Sequence, residues 1–251
     1  MKQITAVILA RDEEANIGRA VDSATGLHRV LVLDSGSRDG TAEAARSRGA
    51  EVMRTDWPGF AAQRRRALSL AKTDWVLFLD ADEALDEELR LKMAYFLPAA
   101  GIDGYYLRRR NHFLGRPMRH ARWGDDWQLR LFRREAAAVP DVLVHEGVTV
   151  TGKTERILTG CLEHYTAPTL SRYLEKLHGY SSLEAAQKLS KGKSAGPAKM
   201  AFDLASELWK VYVRHQGWRE GWRGFALAQL TALYKFTTDA KLWEMRHGGR
   251  G

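Results

Sequence analysis

A single cysteine, Cys161, stands in 251 residues. An internal disulfide and any Cys-based zinc site are therefore excluded, which fits a reducing compartment. Long hydrophobic runs are also missing: the longest near-apolar stretch, residues 224–234, falls short of the roughly 20 residues that a bilayer-spanning helix needs. Met1-Lys2-Gln3 leads straight into a short apolar strand, so no signal peptide is expected. No Gly-x-Gly-x-x-Gly follows that strand and no Walker lysine loop occurs anywhere. A dinucleotide dehydrogenase and a P-loop enzyme are excluded by motif, and any nucleotide must be gripped by side chains and a metal. Zinc-finger spacing, an aromatic RNA-binding signature and a Gly-rich RNA-binding loop are absent too, so no nucleic-acid partner is expected.

What is present is a chain 45% hydrophobic, enough for a substantial core in one large domain or one domain with an appendage. The net charge of +8 is unevenly spread. Residues 1–100 carry 14 basic and 16 acidic side chains, residues 101–171 carry 11 and 8, and residues 172–251 carry 14 and 7. The excess sits in the last third, where it attracts anionic lipid or a phosphorylated substrate.

Along the chain, residues 4–10 form an uninterrupted apolar strand followed by Arg11-Asp12-Glu13-Glu14. Residues 15–24 then read as a helix with Ile17, Ala20, Val21 and Ala24 on one face. A second strand, 30–33, ends in Asp34-Ser35-Gly36-Ser37-Arg38-Asp39-Gly40-Thr41, where Gly36 and Gly40 permit positive φ and Thr41 is expected to cap the helix from Ala42. A third strand at 51–54, a helix at 61–71 and a fourth strand from Trp75 complete an alternation that predicts a parallel, doubly wound α/β sheet. Right-handed crossovers bring the four carboxyl ends to one edge. That edge collects Arg11, Glu13, Glu14, Asp34, Asp80 and Asp82.

The stretch Trp75-Val76-Leu77-Phe78-Leu79-Asp80-Ala81-Asp82-Glu83 organises the rest. Its five apolar residues read as a strand buried on both faces, and the end of such a strand is where open α/β sheets bind ligands. Alternation along extended backbone would point Asp80 and Asp82 the same way, so that two hard oxygen ligands share one Mg²⁺ or Mn²⁺ carrying a diphosphate. The competing reading is that the carboxylates only start a helix, since Asp82-Glu83-Ala84-Leu85-Asp86-Glu87-Glu88-Leu89 is a good helix opening. Asp34 likewise reads as an acceptor for a ribose or base edge or as a turn former. The run Arg64-Arg65-Arg66 reads as a phosphate contact or as a solvated face.

These four segments, in this order, resemble the family 2 glycosyltransferases of the GT-A fold, and most closely the bacterial enzymes that add glucose to the inner core of lipopolysaccharide. The resemblance continues through Arg130-Leu131-Phe132-Arg133, Val144-His145-Glu146, His164-Tyr165, Tyr173 to Ser181 and Lys241-Leu242-Trp243-Glu244, and so covers most of the chain. It implies a mostly parallel twisted sheet with flanking helices. It also implies that the Ala10–Glu14 edge, with Ala10, Arg11, Glu13 and Glu14, and Asp34 bind the uridine part of a UDP-sugar; of the arginine run, Arg64 is the residue expected at the phosphates. Asp80 would lie near the ribose and the metal, and Asp82 would coordinate the metal directly. Two departures stand out: Ser35 and Arg65 occupy positions where many members carry Asp and Asn.

Residues 104–134 hold nine arginines interleaved with Tyr105, Tyr106, His112, Phe113, His120, Trp123 and Trp127. Aromatics stack on sugar rings and guanidinium groups grip phosphate, which suits a phosphorylated saccharide acceptor. An exposed strand pair with arginine stems laid over aromatics is the alternative. Inverting transfer needs a carboxylate that takes the acceptor's proton. Glu146, after the strand at 142–144, is favoured over Asp126, and His145 serves as a third metal ligand or orients Glu146. A nucleotidyltransferase would want a Gly-rich loop where this chain has acidic residues, and a protein with a decayed nucleotide site would not keep Asp34, Asp80 and Asp82.

Residues 166–251 read as a basic helical appendage to a catalytic domain spanning 1–165. Leucines at helical spacing mark 170–189, and further helices fall at 198–213 and 222–237. Trp209, Tyr212, Trp218, Trp222, Phe225, Tyr234 and Trp243 mix there with Lys210, Arg214, Arg219, Arg223, Lys235 and Lys241. Basic residues beside Trp and Tyr suit an anionic membrane surface, and a helical hairpin completing a core is the alternative. The expectation is a cytoplasmic enzyme, peripheral on the inner membrane, acting on a lipid-linked saccharide. The Glu146→Gln variant should fold and bind UDP-sugar but transfer little. Near-normal turnover there, with loss in Asp126→Asn, would move the base to Asp126.

Overall fold

The computed structural model describes residues 3–140 and 147–248. Strands β1 (Ile4–Ala10), β2 (Arg29–Asp34), β3 (Glu51–Arg54) and β4 (Trp75–Asp80) alternate with helices α1 (Glu14–Ser23), α2 (Thr41–Arg46) and α3 (Phe60–Leu70). The four strands are parallel in the order β3-β2-β1-β4. The apolar runs of β1, β2 and β4 follow from burial on both faces, whereas the edge strand β3 is partly exposed. Ile4, Ala6 and Ile8 share one core cluster with Trp75, Leu77 and Leu79 and with Ile17, Ala20 and Val21 of α1. Val7, Val76 and Phe78 lie in another, with Leu31, Leu33 and Ala67 of α3. Side chains that alternate along each strand thus enter two separate cores.

Beyond Asp80 the chain departs from the expected extended backbone. Ala81 and Asp82 form a turn, a short strand β5 (Glu83–Leu85) follows, and only then does α4 (Glu87–Ala94) begin. Strict alternation therefore does not set the directions of Asp80 and Asp82. The helix start that the acidic run advertised belongs to Asp86, whose carboxylate accepts from Leu89 N at 2.9 Å.

The next strands are β6 (Ile102–Phe113), β7 (Arg116–Pro117), β8 (Asp126–Arg133), β9 (Ala137–Ala138), β10 (Thr149–Val150) and β11 (Lys153–Ala167). Among the described residues they extend the sheet to nine strands, in the order β3-β2-β1-β4-β8-β6-β11-β5 with β7 on β6, while β9 and β10 pair separately. β8 runs antiparallel to β4, and β11 antiparallel to β5. The sheet is thus mixed: a parallel half continued by antiparallel strands.

The chain divides into two compact units, residues 1–109 with 127–164 and residues 110–126 with 165–251. In the second, α5 (Leu170–Ser190), α6 (Pro197–Trp209) and α7 (Gly221–His247) pack together, and a π-helical turn (Lys210–Arg214) and a 3-10 turn (Gly217–Glu220) join α6 to α7. Its core gathers Phe113, Met118, Val211, Leu227 and Ala228.

Asp86 does two things at once: it caps α4, and its other oxygen accepts from Cys161 N on β11 at 3.0 Å. Asp86→Ala should cost about 1–2 kcal/mol, the usual loss for an N-cap side chain, read as a lower urea midpoint at pH 7.

Candidate active site

Sheet register gathers the acidic groups. Ala10 lies beside Asp34 across the β1–β2 pair, and Leu9 lies beside Asp80 across β1–β4, so all three carboxyl ends meet at one edge. Above them the loops after β1 and β2 are knitted into one rim. Asp12 N donates to Ser37 Oγ at 3.0 Å, Glu13 N to Thr41 Oγ1 at 2.9 Å and Glu14 N to Asp39 Oδ2 at 3.1 Å. In return, Arg38 N donates to Asp12 Oδ1 at 2.8 Å and Gly40 N to Glu14 Oε2 at 3.1 Å.

Two expectations for this rim are corrected. Thr41 is the first residue of α2 rather than its cap, because its hydroxyl serves the Glu13 amide and Asp39. Of the two glycines, only Gly36 has positive φ, at 81°. Gly40 has φ −75° and is needed for space, since a Cβ there would come within 2.5 Å of Glu14 Oε1.

Asp34 is fully buried beneath the rim. Its Oδ1 accepts from Ser37 N at 2.9 Å and from Ser37 Oγ, and its Oδ2 accepts from Arg54 Nε at 3.3 Å. Ser35 is buried too and accepts from Gln63 Nε2 at 2.9 Å. Arg11 lies at the outer edge, its guanidinium 5.9 Å from the centre of the Trp57 ring.

Asp80 is clamped. Arg130 Nη2 donates to its Oδ2 at 2.5 Å and to Glu83 Oε1 at 2.7 Å, and Arg64 Nη2 approaches Asp80 Oδ1 at 3.5 Å. Glu83 also accepts from Asp80 N at 3.1 Å and from Arg109 Nη1 at 3.4 Å. Burial by itself would push the Asp80 carboxyl up, but Arg130 and then Arg64 outweigh it and bring it down to about 2, while Asp82 opposes them. Burial works against the charge on Arg130 as well, yet Asp80 and Glu83 hold it protonated above its ordinary range.

Asp82 sits in the turn beside the clamp. The β5–β11 register sets His164 opposite Glu83, and His164 Nε2 lies 3.5 Å from Asp82 Oδ1. Carboxylate oxygens joined by an imidazole nitrogen fit a divalent cation, and the imidazole suits Mn²⁺ better than Mg²⁺, which prefers an all-oxygen shell.

Of the other expected site residues, Asp126 belongs to the second unit, where its Oδ2 accepts from Asn111 Nδ2 at 2.9 Å. His145 and Glu146, with the strand expected at 142–144, lie outside the described residues. Among the middle aromatics, Tyr105 is core, packed on Trp75 at 5.7 Å, and Phe113 is fully buried. Arg156 lies over Trp127 at 4.8 Å, the packing that the strand alternative described. Asp86, Cys161 and Glu163 also place ligand atoms within 4.8 Å of one another, but Asp86 is occupied as a helix cap.

Glu83, Arg130 and His164 stand in the motifs named above, but neither they nor Arg109 were given a site role from sequence. A signal existed for Arg130, a charge inside the apolar run Leu129-Arg130-Leu131-Phe132, where burial demands a partner.

The family model described as glycosyl transferase family 2 matches residues 5–150. The lipopolysaccharide core biosynthesis glycosyltransferase LpsC of Rhizobium meliloti is 32% identical, over 97% of this chain and 93% of its own length. An uncharacterised glycosyltransferase of Rickettsia typhi is 27% identical, over 98% of this chain and 88% of its own. Glucosyl-3-phosphoglycerate synthase from Mycobacterium tuberculosis, crystallised with Mn²⁺, UDP and glucosyl-3-phosphoglycerate, is 27% identical over 44% of each chain, with a TM-score of 0.37.

Removing Arg130 leaves the buried Glu83 and the partly buried Asp80 undercompensated, so Arg130→Met should cost about 3 kcal/mol in urea denaturation. Acid sensitivity checks the same clamp. The folded Asp80 carboxyl titrates at about 2, below its unfolded value of about 3.9, so its stabilisation is complete above about pH 4 and is lost as pH falls through about 2. With the side chain one-third exposed, that contribution is on the order of 1–2 kcal/mol, and Asp80→Asn should flatten this part of the acid limb in metal-free buffer.

Proposed function

This chain belongs to glycosyl transferase family 2, and from that premise we propose that it transfers a hexose, glucose foremost, from a UDP-sugar to a lipopolysaccharide-core or other lipid-linked saccharide, with inversion. The observation that carries the reading is the carboxylate cluster at the ends of the parallel strands, with Asp82 and His164 3.5 Å apart beside an Asp80 fixed by Arg130 and Arg64. Such a strand-end edge is the ligand-binding place of an open α/β sheet.

In this reading the knitted rim of Ala10 to Glu14 holds the uridine, and Asp34, locked by Ser37 and Arg54, supports it from below. Asp82 and His164, with Asp80 adjoining, would hold Mn²⁺ or Mg²⁺, which when bound would neutralise charge on the departing diphosphate. Arg64, at the same edge, adds a guanidinium for phosphate. The acceptor hydroxyl attacks C1 of the donor sugar from the face opposite UDP. The C1–O bond to UDP breaks and UDP leaves with its electron pair, while the hydroxyl proton passes to the base carboxylate, Glu146 foremost and Asp126 otherwise.

LpsC is by name a lipopolysaccharide core enzyme, which supports a saccharide acceptor. The basic last third of the chain supports a phosphorylated or lipid-linked one near the inner membrane's cytoplasmic, anionic face. Among the described residues no helix is long and apolar enough to cross a membrane.

Calorimetry should detect UDP binding that requires Mn²⁺ and disappears with EDTA, and Asp82→Asn should weaken it at least about tenfold, the loss expected for a direct metal ligand. Hydrolysis of UDP-glucose, UDP-galactose and UDP-N-acetylhexosamines, with and without EDTA, identifies the donor. A preference for CTP, or no nucleotide binding with metal present, would overturn the reading.

A further inference from the structure

The second unit ends in a surface that neither the fold nor the transfer site uses. Where α6 passes through the π-helical and 3-10 turns into α7, Trp209, Trp218 and Trp222 are 57%, 57% and 61% exposed. Val213 and Phe225 are exposed beside them. These elements pack on one another, and Tyr212 of the π turn meets Phe225 of α7 edge-on at 5.9 Å. Aromatic residues exposed in such number mark an interaction surface.

The charges at this corner are sorted. The acidic residues between 204 and 225 turn inward: Glu207 pairs with Arg122 and Lys210, and Glu220 accepts from the amides of Arg119 and His120. Arg214, Arg219 and Arg223 make no ion pair among the described residues, and Arg223 instead lies over the Trp222 ring at 5.0 Å. Burial, and after it Arg122 and Arg214, hold the His215 imidazole below its ordinary range, as a locally positive field requires.

Several other basic and aromatic residues of this region are tied into the bundle. Tyr234 donates to Glu184, Lys235 bridges Asp203 and Asp239, and Lys241 donates to Ser181, Ser182 and the His178 carbonyl. Among the described residues, the corner formed by residues 209–225 gathers three exposed indoles with arginines that make no ion pair.

We propose that this corner, Trp209, Trp218, Trp222 and Phe225 with Arg214 and Arg219, docks the protein onto an anionic lipid bilayer. Indoles settle at the interface between headgroups and acyl chains, and guanidinium groups engage lipid phosphates. A second copy of the same face is disfavoured because it brings like charges together. The proposal rests on the transfer reading only for its purpose, access to a lipid-linked acceptor; its physical basis is separate.

Flotation of the full chain with phosphatidylglycerol-containing vesicles tests it, against vesicles of phosphatidylcholine alone. The protein should float with the anionic vesicles at low salt and be released at high salt, with tryptophan emission quenched by brominated acyl chains. The triple variant Arg214→Gln, Arg219→Gln, Arg223→Gln and the double variant Trp218→Ala, Trp222→Ala should each bind at least about tenfold more weakly. A control triple that removes the exposed Lys72, Lys92 and Lys153 of the first unit should bind like the parent.

No flotation at low salt, equal loss in the control triple, or no quenching would overturn the proposal. So would corner variants that lose only binding to an added oligonucleotide, or a dimer that shields these tryptophans without lipid. Quenching in the parent protein keeps the test decisive if a variant misfolds. Soluble UDP-sugar hydrolysis is scored in parallel: flotation without hydrolysis removes the transfer reading alone, and hydrolysis without flotation removes this one.

Discussion

The guanidinium of Arg130 between Asp80 and Glu83 is the constraint on which the strand-end edge depends. Taking a guanidinium and two carboxylates out of water is costly, and the arrangement persists only because each charge finds several partners. Those partners come from different elements: Arg64 from α3, Arg109 from β6 and Arg130 from β8 meet Asp80 at the end of β4 and Glu83 at the start of β5. The clamp therefore spans the tight turn that carries Asp82. If it opened, the turn would lose its fixed direction, and the 3.5 Å approach of Asp82 to His164 would be lost with it.

The clamp also divides labour between the two aspartates. Both oxygens of Asp80 are engaged by arginine, so its carboxylate is fixed and ionised but already neutralised. Asp82, in the turn that follows, has the His164 imidazole 3.5 Å away. Three arginines, Arg64, Arg109 and Arg130, face three carboxylates there, Asp80, Glu83 and the adjoining Asp82, so the cluster is close to charge balance.

How much of this was legible in the sequence depends on how far each feature reaches along the chain. β1, β2, β4 and the apolar face of α1 were legible because burial on both faces leaves a continuous apolar run and helical spacing leaves a 3.6-residue period. The acidic edge followed from parallel topology alone. β5 was hidden because Glu83-Ala84-Leu85 has the local composition of a helix start, and its pairing with β11 lies some 80 residues away in the chain, beyond any local signal. His164 was missed for the same reason. Arg130 left a local trace, a charge inside an apolar strand, but only the fold identifies Asp80 and Glu83 as its partners. At the rim, Gly40 and Thr41 were assigned the common roles of their residue types, and a contact from the preceding loop gave them different ones.

The helical unit shows the same limit in its electrostatics. Sequence gives a list of lysines, arginines and aromatics, and a list cannot separate charges that hold helices together from charges that face a partner. The structure separates them by partner. Lys188, Lys199 and Lys235 converge on Asp239, which is almost fully buried between α5, α6 and α7, so these cations fasten the bundle. A buried carboxylate needs such company, whereas an exposed arginine beside an exposed indole does not stabilise the bundle at all. The proposed docking accounts for exposed cations that make no ion pair and stand next to exposed apolar surface. That is why the corner between residues 209 and 225, rather than the basic excess of the whole unit, carries the argument for docking.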